Sequence, residues 1–120
     1  MKKIMIVDDE ADLRDMLKLM MTKQGYEVEI ARDGEDFLSK VESFHPDLIT
    51  LDVMMPGLTT EEILGKLKDK DDSTKIVLLT AARHSEEEKN DLRQRGNVVD
   101  YVTKPFDINS FLTTVEKYLE

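Results

Sequence analysis

Four short stretches of this 120-residue chain carry side chains suited to polar chemistry: Asp8-Asp9-Glu10, Asp52, Thr80 and Lys104. Gathered carboxylates repel one another unless a cation joins them. The chain has no cysteine, and its two histidines, His45 and His84, stand alone. A ligand set of hard oxygens without sulfur or imidazole selects Mg²⁺ over zinc. Mg²⁺ keeps several waters and is commonly shared with a phosphate. A lysine pairs with a carboxylate or a phosphate oxygen, and a threonine hydroxyl can donate to a phosphate oxygen. A carboxylate can also accept a phosphoryl group as a nucleophile, while cation and lysine neutralise the charge in transit.

Each residue alone has a plainer explanation. Asp8 or Asp9 could cap a helix. Asp52 could serve a turn ahead of Pro56, Thr80 could simply end a strand, and Lys104 could be a solvated lysine held extended by Pro105. The choice depends on whether the surrounding elements bring the four stretches together.

Ile4–Val7, Leu48–Leu51 and Ile76–Leu79 are near-continuous apolar runs, as central parallel strands covered on both faces require. Tyr26, Val28 and Ile30 alternate with acids like an edge strand, and Val98–Val102 reads as a fifth strand interrupted by Asp100. Helical spacing links Leu13, Met16, Leu17, Met20 and Met21, and then Phe37, Leu38, Val41 and Phe44. It recurs at Ile63, Leu64 and Leu67, and from Phe111 to Leu119. Ser85–Arg95 is predicted as a helix from the Ser85/Glu88 capping box, but Leu92 is its only large apolar residue, so it should pack loosely. The pattern predicts an α/β domain over residues 1–120: a flavodoxin-like, doubly wound, five-stranded parallel sheet of order 2-1-3-4-5 with five helices. In such sheets ligands bind beyond the carboxyl ends of the strands. Asp8-Asp9-Glu10, Asp52, Thr80 and Lys104 follow the first, third, fourth and fifth strands, which places them on one rim.

Composition sets outer bounds. No apolar run approaches the roughly 20 residues that span a bilayer, and the N-terminus lacks the apolar stretch of a signal peptide. Membrane insertion is not expected, and a cytoplasmic location is. A net charge of −9 disfavours direct binding to nucleic acid.

The chain resembles the receiver domain of two-component response regulators along essentially its whole length. The matching stretches are Ile4-Met5-Ile6-Val7-Asp8-Asp9-Glu10, Asp52-Val53-Met54-Met55-Pro56-Gly57, Leu79-Thr80-Ala81 and Tyr101-Val102-Thr103-Lys104-Pro105-Phe106. The resemblance implies that Asp52 is the phosphoacceptor. It implies that Asp8, Asp9, Asp52 and the backbone carbonyl of Met54 hold Mg²⁺, and that Lys104 contacts the phosphoryl group. Thr80 and Tyr101 would be the switch pair. The donor would be a histidine kinase or a phosphotransfer protein. The signal would leave through the fourth helix, fifth strand and fifth helix, to a downstream protein or output domain, with phosphorylation-dependent dimerisation left open. The chain stops at Glu120, as a stand-alone receiver of the chemotaxis type would; a receiver cut from a longer protein would read the same.

Two stretches depart from the family pattern. After Pro56 the family usually has a Met-Asp-Gly-like turn, where this chain has Leu58-Thr59-Thr60-Glu61. Threonine suffices as an N-cap, but the glycine's conformational freedom is lost. The approach to Tyr101, Gly96-Asn97-Val98-Val99-Asp100, is one residue longer than the common form. Two other functions compete with the switch. A Mg²⁺-dependent phosphohydrolase would need a second acid, often two residues after the nucleophile, and position 54 is methionine. A degenerate receiver would bind partners without phosphorylation, against which the intact Asp8, Asp9, Asp52, Thr80 and Lys104 set argues. The expected domain catalyses only its own phosphorylation and dephosphorylation.

Overall fold

The computed structural model describes residues 1–70, 74–80, 87, 90, 91, 94 and 97–119. Its strands are β1 (Lys3–Val7), β2 (Glu27–Ala31), β3 (Leu48–Asp52), β4 (Lys75–Thr80) and β5 (Val98–Thr103). Its helices are α1 (Ala11–Lys23), α2 (Gly34–Phe44), α3 (Thr60–Lys70) and α4 (Ile108–Leu119). All strands are parallel, in the order β2-β1-β3-β4-β5. The expected helix at Ser85–Arg95 falls mostly outside the described residues, of which Glu87, Asn90, Asp91 and Gln94 are helical. Among the described residues no helix is long and apolar enough to cross a membrane.

The apolar runs become the central strands because both sheet faces are covered. Met5, Val7, Ile49, Leu51, Ile76 and Leu78 pack beneath α2 and α3, around Phe37, Ile63 and Leu64. Ile4, Ile6, Leu48, Val77 and Leu79 pack on the other face, against Leu17 and Met21 of α1 and Phe111 and Val115 of α4. Phe37 and Phe111 are fully buried, one on each face; burying such a ring contributes about 1.5–3 kcal/mol.

One buried group departs from this apolar logic. Thr50, fully buried in β3, has a hydroxyl with no hydrogen-bond partner among the described residues. An unpaired buried hydroxyl costs about 1–3 kcal/mol. Thr50→Val keeps the shape and removes the hydroxyl, so it should raise the free energy of unfolding by about 1 kcal/mol. Urea denaturation reads this directly, and a loss of stability would mean that the hydroxyl has a partner in solution.

The two unusual stretches fold in local ways. Thr59 caps α3 with its hydroxyl accepting the Glu62 N–H at 3.1 Å, while Glu62 Oε1 accepts the Thr59 N–H at 3.1 Å. This reciprocal box replaces the expected turn chemistry. Gly57, with φ of 91°, still supplies the left-handed turn before it. Leu58 then packs against the start of α2, where a Cβ on Gly34 would lie 3.2 Å from Leu58 Cβ and 2.7 Å from Ile63 Cδ1. A Cβ there would displace the Ile63 side chain.

The approach to Tyr101 contains a bulge. Val98 pairs with Ile76, but Asp100, not Val99, pairs with Val77. Two residues of β5 thus oppose one step of β4. The Tyr118 hydroxyl reaches Val99 O at 3.2 Å and Asp100 Oδ2 at 3.0 Å, closing the bulge from α4. Beyond it the ladder is regular, with Tyr101 opposite Leu78 and Thr103 opposite Thr80. The irregularity ends before the chain reaches Lys104.

Candidate functional site

Three ladders set the site. Asp8 N–H donates to Ala31 O at 3.1 Å, extending the β1–β2 pairing by one residue. Val53 N–H donates to Leu79 O at 3.0 Å, and Lys104 N–H to Thr80 O at 2.7 Å. Asp8, Asp52 and Lys104 are thereby carried to the same rim by β1, β3 and β5.

Asp8 is fully buried, Asp52 is 4% exposed and Asp9 is exposed; each offers one oxygen, and these oxygens lie within 4.8 Å of one another. Lys104 Nζ stands between the two buried acids, 2.9 Å from Asp8 Oδ2 and 3.3 Å from Asp52 Oδ2. Burial pushes the Lys104 ammonium toward the neutral form. The hydrogen bond to Asp8 and the charges of Asp8 and Asp52 outweigh that, and its pKa ends above the ordinary lysine value.

The remaining carboxylate oxygens are held by backbone. Asp8 Oδ1 accepts the Glu10 N–H at 2.9 Å, and Asp52 Oδ1 accepts the Met54 N–H at 3.0 Å. Asp52 therefore does act in a turn, as its neighbours suggested, while its second oxygen faces Lys104. Asp8 is not the N-cap of α1: Glu10 holds that position, and the Glu10 side chain makes no capping hydrogen bond. Lys104 is not a solvated lysine, with four-fifths of its side chain covered.

Thr80 ends β4 at the same rim and is 2% exposed. Tyr101 lies opposite Leu78 in β5, half-buried on the sheet face that α2 and α3 cover. Met54 is held beside Asp52 through its backbone, and the residue is 65% exposed. His84 lies outside the described residues, and His45 ends α2 away from the acids.

The donor set is one of carboxylate oxygens, two of them nearly dry, with no described histidine in the cluster. Such a set fits a hard divalent cation. Arg14 escaped the sequence reading: its Nη1 donates to the Asp8 carbonyl oxygen at 2.7 Å. The only signal for it is position, one turn after the N-cap Glu10 on the first turn of α1.

Comparisons with known proteins agree with this geometry. The family described as the response regulator receiver domain matches residues 4–116. The response regulator ArlR of Staphylococcus aureus is 36% identical over 119 residues, covering 99% of this chain and 53% of ArlR. The chain thus spans about half the length of the curated relatives it matches. The chemotaxis protein CheY4 of Vibrio cholerae superposes with a TM-score of 0.90 at 32% identity, covering 99% of both chains. The response regulator TrrA of Thermotoga maritima, in a complex with Mg²⁺ and BeF, superposes at 0.83 with 36% identity over 99% of this chain and 100% of TrrA. A further TrrA structure is a complex with the histidine kinase ThkA. With four strand-end stretches, one strand order and one acidic rim in common accord, the chain belongs to the response regulator receiver domain family.

Proposed function

We propose that this receiver domain is a phosphorylation-gated switch in which Asp52 accepts a phosphoryl group from a histidine kinase or a phosphotransfer protein. The observation that carries the reading is the pair of buried acids, Asp8 and Asp52, bridged by Lys104 and joined by the exposed Asp9. Three acids and one ammonium leave a negative excess, which a divalent cation would balance. Asp8, Asp9, Asp52 and the Met54 carbonyl would hold Mg²⁺. When bound, that ion supplies charge neutralisation for the phosphoryl oxygens.

The chain's own residues do the rest. One Asp52 oxygen forms the new O–P bond as the P–N bond of the donor phosphohistidine breaks and its electron pair returns to the imidazole. The Met54 N–H fixes the rotation of the Asp52 carboxylate. Lys104 gives up a carboxylate contact and pairs with a phosphoryl oxygen. Thr80, at the end of the adjacent strand, donates its hydroxyl to the same group, and Tyr101 responds from β5. The modified surface, the Ser85–Arg95 segment with β5 and α4, then engages a downstream partner. The domain works in the cytoplasm and turns over no external substrate. The TrrA complexes with Mg²⁺–BeF and with a histidine kinase support both the cofactor and the donor.

Acetyl phosphate tests the reading without any partner. Incubated with it and Mg²⁺, the protein should gain one phosphoryl group by mass spectrometry, and chelation of Mg²⁺ should prevent the gain. An unchanged mass would favour a receiver that acts without phosphorylation.

A further inference from the structure

Three residues, Asp8 to Glu10, carry the chain from β1 into α1. Asp8 is tied at every polar point. Its N–H pairs with Ala31, and its carboxylate accepts from the Glu10 N–H and from Lys104. Its carbonyl lies past the last β1 residue paired to β2, Val7 opposite Ala31. The acceptor there is met by a side chain, Arg14 Nη1 at 2.7 Å. Asp9 is different: it is exposed, and its carboxylate has no hydrogen-bond partner among the described residues. Among the described residues, only the backbone sets where its Cβ points.

The carbonyl that Arg14 holds belongs to the peptide plane joining Asp8 to Asp9. That plane has two soft rotations, one at each end. Asp8 is fixed by its other bonds, so the Arg14 contact limits the remaining freedom of that plane, and with it the direction of the Asp9 Cβ. We infer that Arg14 is a positioning residue: it holds the Asp8–Asp9 peptide so that the Asp9 carboxylate, which has no other support among the described residues, stays with Asp8 and Asp52. The inference rests on the reading of these three acids as the Mg²⁺ site.

Electrostatics gives this proposal a usable sign. A guanidinium near the acids repels a dication, so charge alone predicts that removing Arg14 tightens Mg²⁺ binding. Positioning predicts the reverse. Outer-shell partners of metal ligands are worth about 10- to 100-fold in affinity, and a single neutral carbonyl contact belongs at the low end.

The test is calorimetric titration of Mg²⁺ into the native protein, Arg14→Gln and Arg14→Lys, with urea midpoints measured in chelator. Arg14→Gln should bind Mg²⁺ about tenfold more weakly. Arg14→Lys, which keeps a cationic donor, should recover part of the loss. Unfolding midpoints without metal should change little in either variant. Equal or tighter binding by Arg14→Gln would overturn the proposal, and so would weakening matched by a general loss of stability. If Arg14→Gln does not fold, native-like affinity of Arg14→Lys supports the proposal, and affinity reduced as far as for Asp9→Ala overturns it. Native protein that binds no Mg²⁺ would sink the metal site and this role together. Native binding with an indifferent Arg14→Gln would sink this role alone.

Discussion

Asp52→Asn should abolish labelling by acetyl phosphate and, in the absence of Mg²⁺, make the fold more stable by about 1–2 kcal/mol. Both effects follow from one geometry. The amide has no anionic oxygen to attack phosphorus, so the reaction stops. It keeps an oxygen for the Met54 N–H, so the loop should hold its shape. Two unit charges within 4.8 Å repel by about 3 kcal/mol at an effective dielectric constant near 20. Asp52 faces one buried acid and one exposed acid at that range and gains one attraction, Lys104 at 3.3 Å. Neutralising it removes more repulsion than attraction. Function is thus placed where the fold bears a cost, as is common at active sites. Mass spectrometry and urea denaturation in chelator check the two halves separately. Retained labelling would show that another residue is the acceptor. A less stable variant would show that the Lys104 contact outweighs the repulsion.

Lys104→Met should act in the opposite direction on stability. Asp8 is fully buried and Asp52 nearly so, and Lys104 is the cation between them. Removing one partner of a buried ion pair costs about 3–5 kcal/mol; Lys104 is one-fifth exposed, so about 2 kcal/mol is expected. Mg²⁺ should restore much of this, because it binds the folded acids and supplies the missing positive charge. Phosphorylation should still slow by about 100-fold, since a fixed donor to the transferring oxygens is lost.

The pH dependence has a definite sign. The Lys104 pKa is raised by folding, so its contribution is fully present below the unfolded value. It is lost as pH rises through the higher folded value. The stability gap between native protein and Lys104→Met should therefore be constant near neutrality and close only above about pH 10.4. Equal stability of the two proteins at neutral pH would remove Lys104 from its structural role.

The strands were legible for particular reasons. β1, β3 and β4 are covered on both faces, so they appear as unbroken apolar runs. β2, at the edge, betrays itself by alternation. The bulge in β5 was visible only as one residue too many. Its location depends on which hydroxyl closes it, and Tyr118 comes from another element. Likewise the Leu58–Thr60 stretch was legible as a helix start, but its contact with Gly34 was not, because that contact joins two helices across a sheet face.

By itself, the sequence determined the order of elements, the rim on which Asp8, Asp9, Asp52, Thr80 and Lys104 fall, and the hardness of the ligand set. These follow from periodicity and residue chemistry, both local properties. Tertiary structure alone decided which of those residues touch. Lys104 meets Asp8, 96 positions away, more closely than it meets Asp52, 52 positions away. Such distances depend on how three strands are set against one another, and that register comes from packing on both faces of the sheet. The register of β5 on β4 placed Tyr101 opposite Leu78, and the seating of α1 brought Arg14 to the Asp8 carbonyl; both depend on neighbours that are remote in sequence.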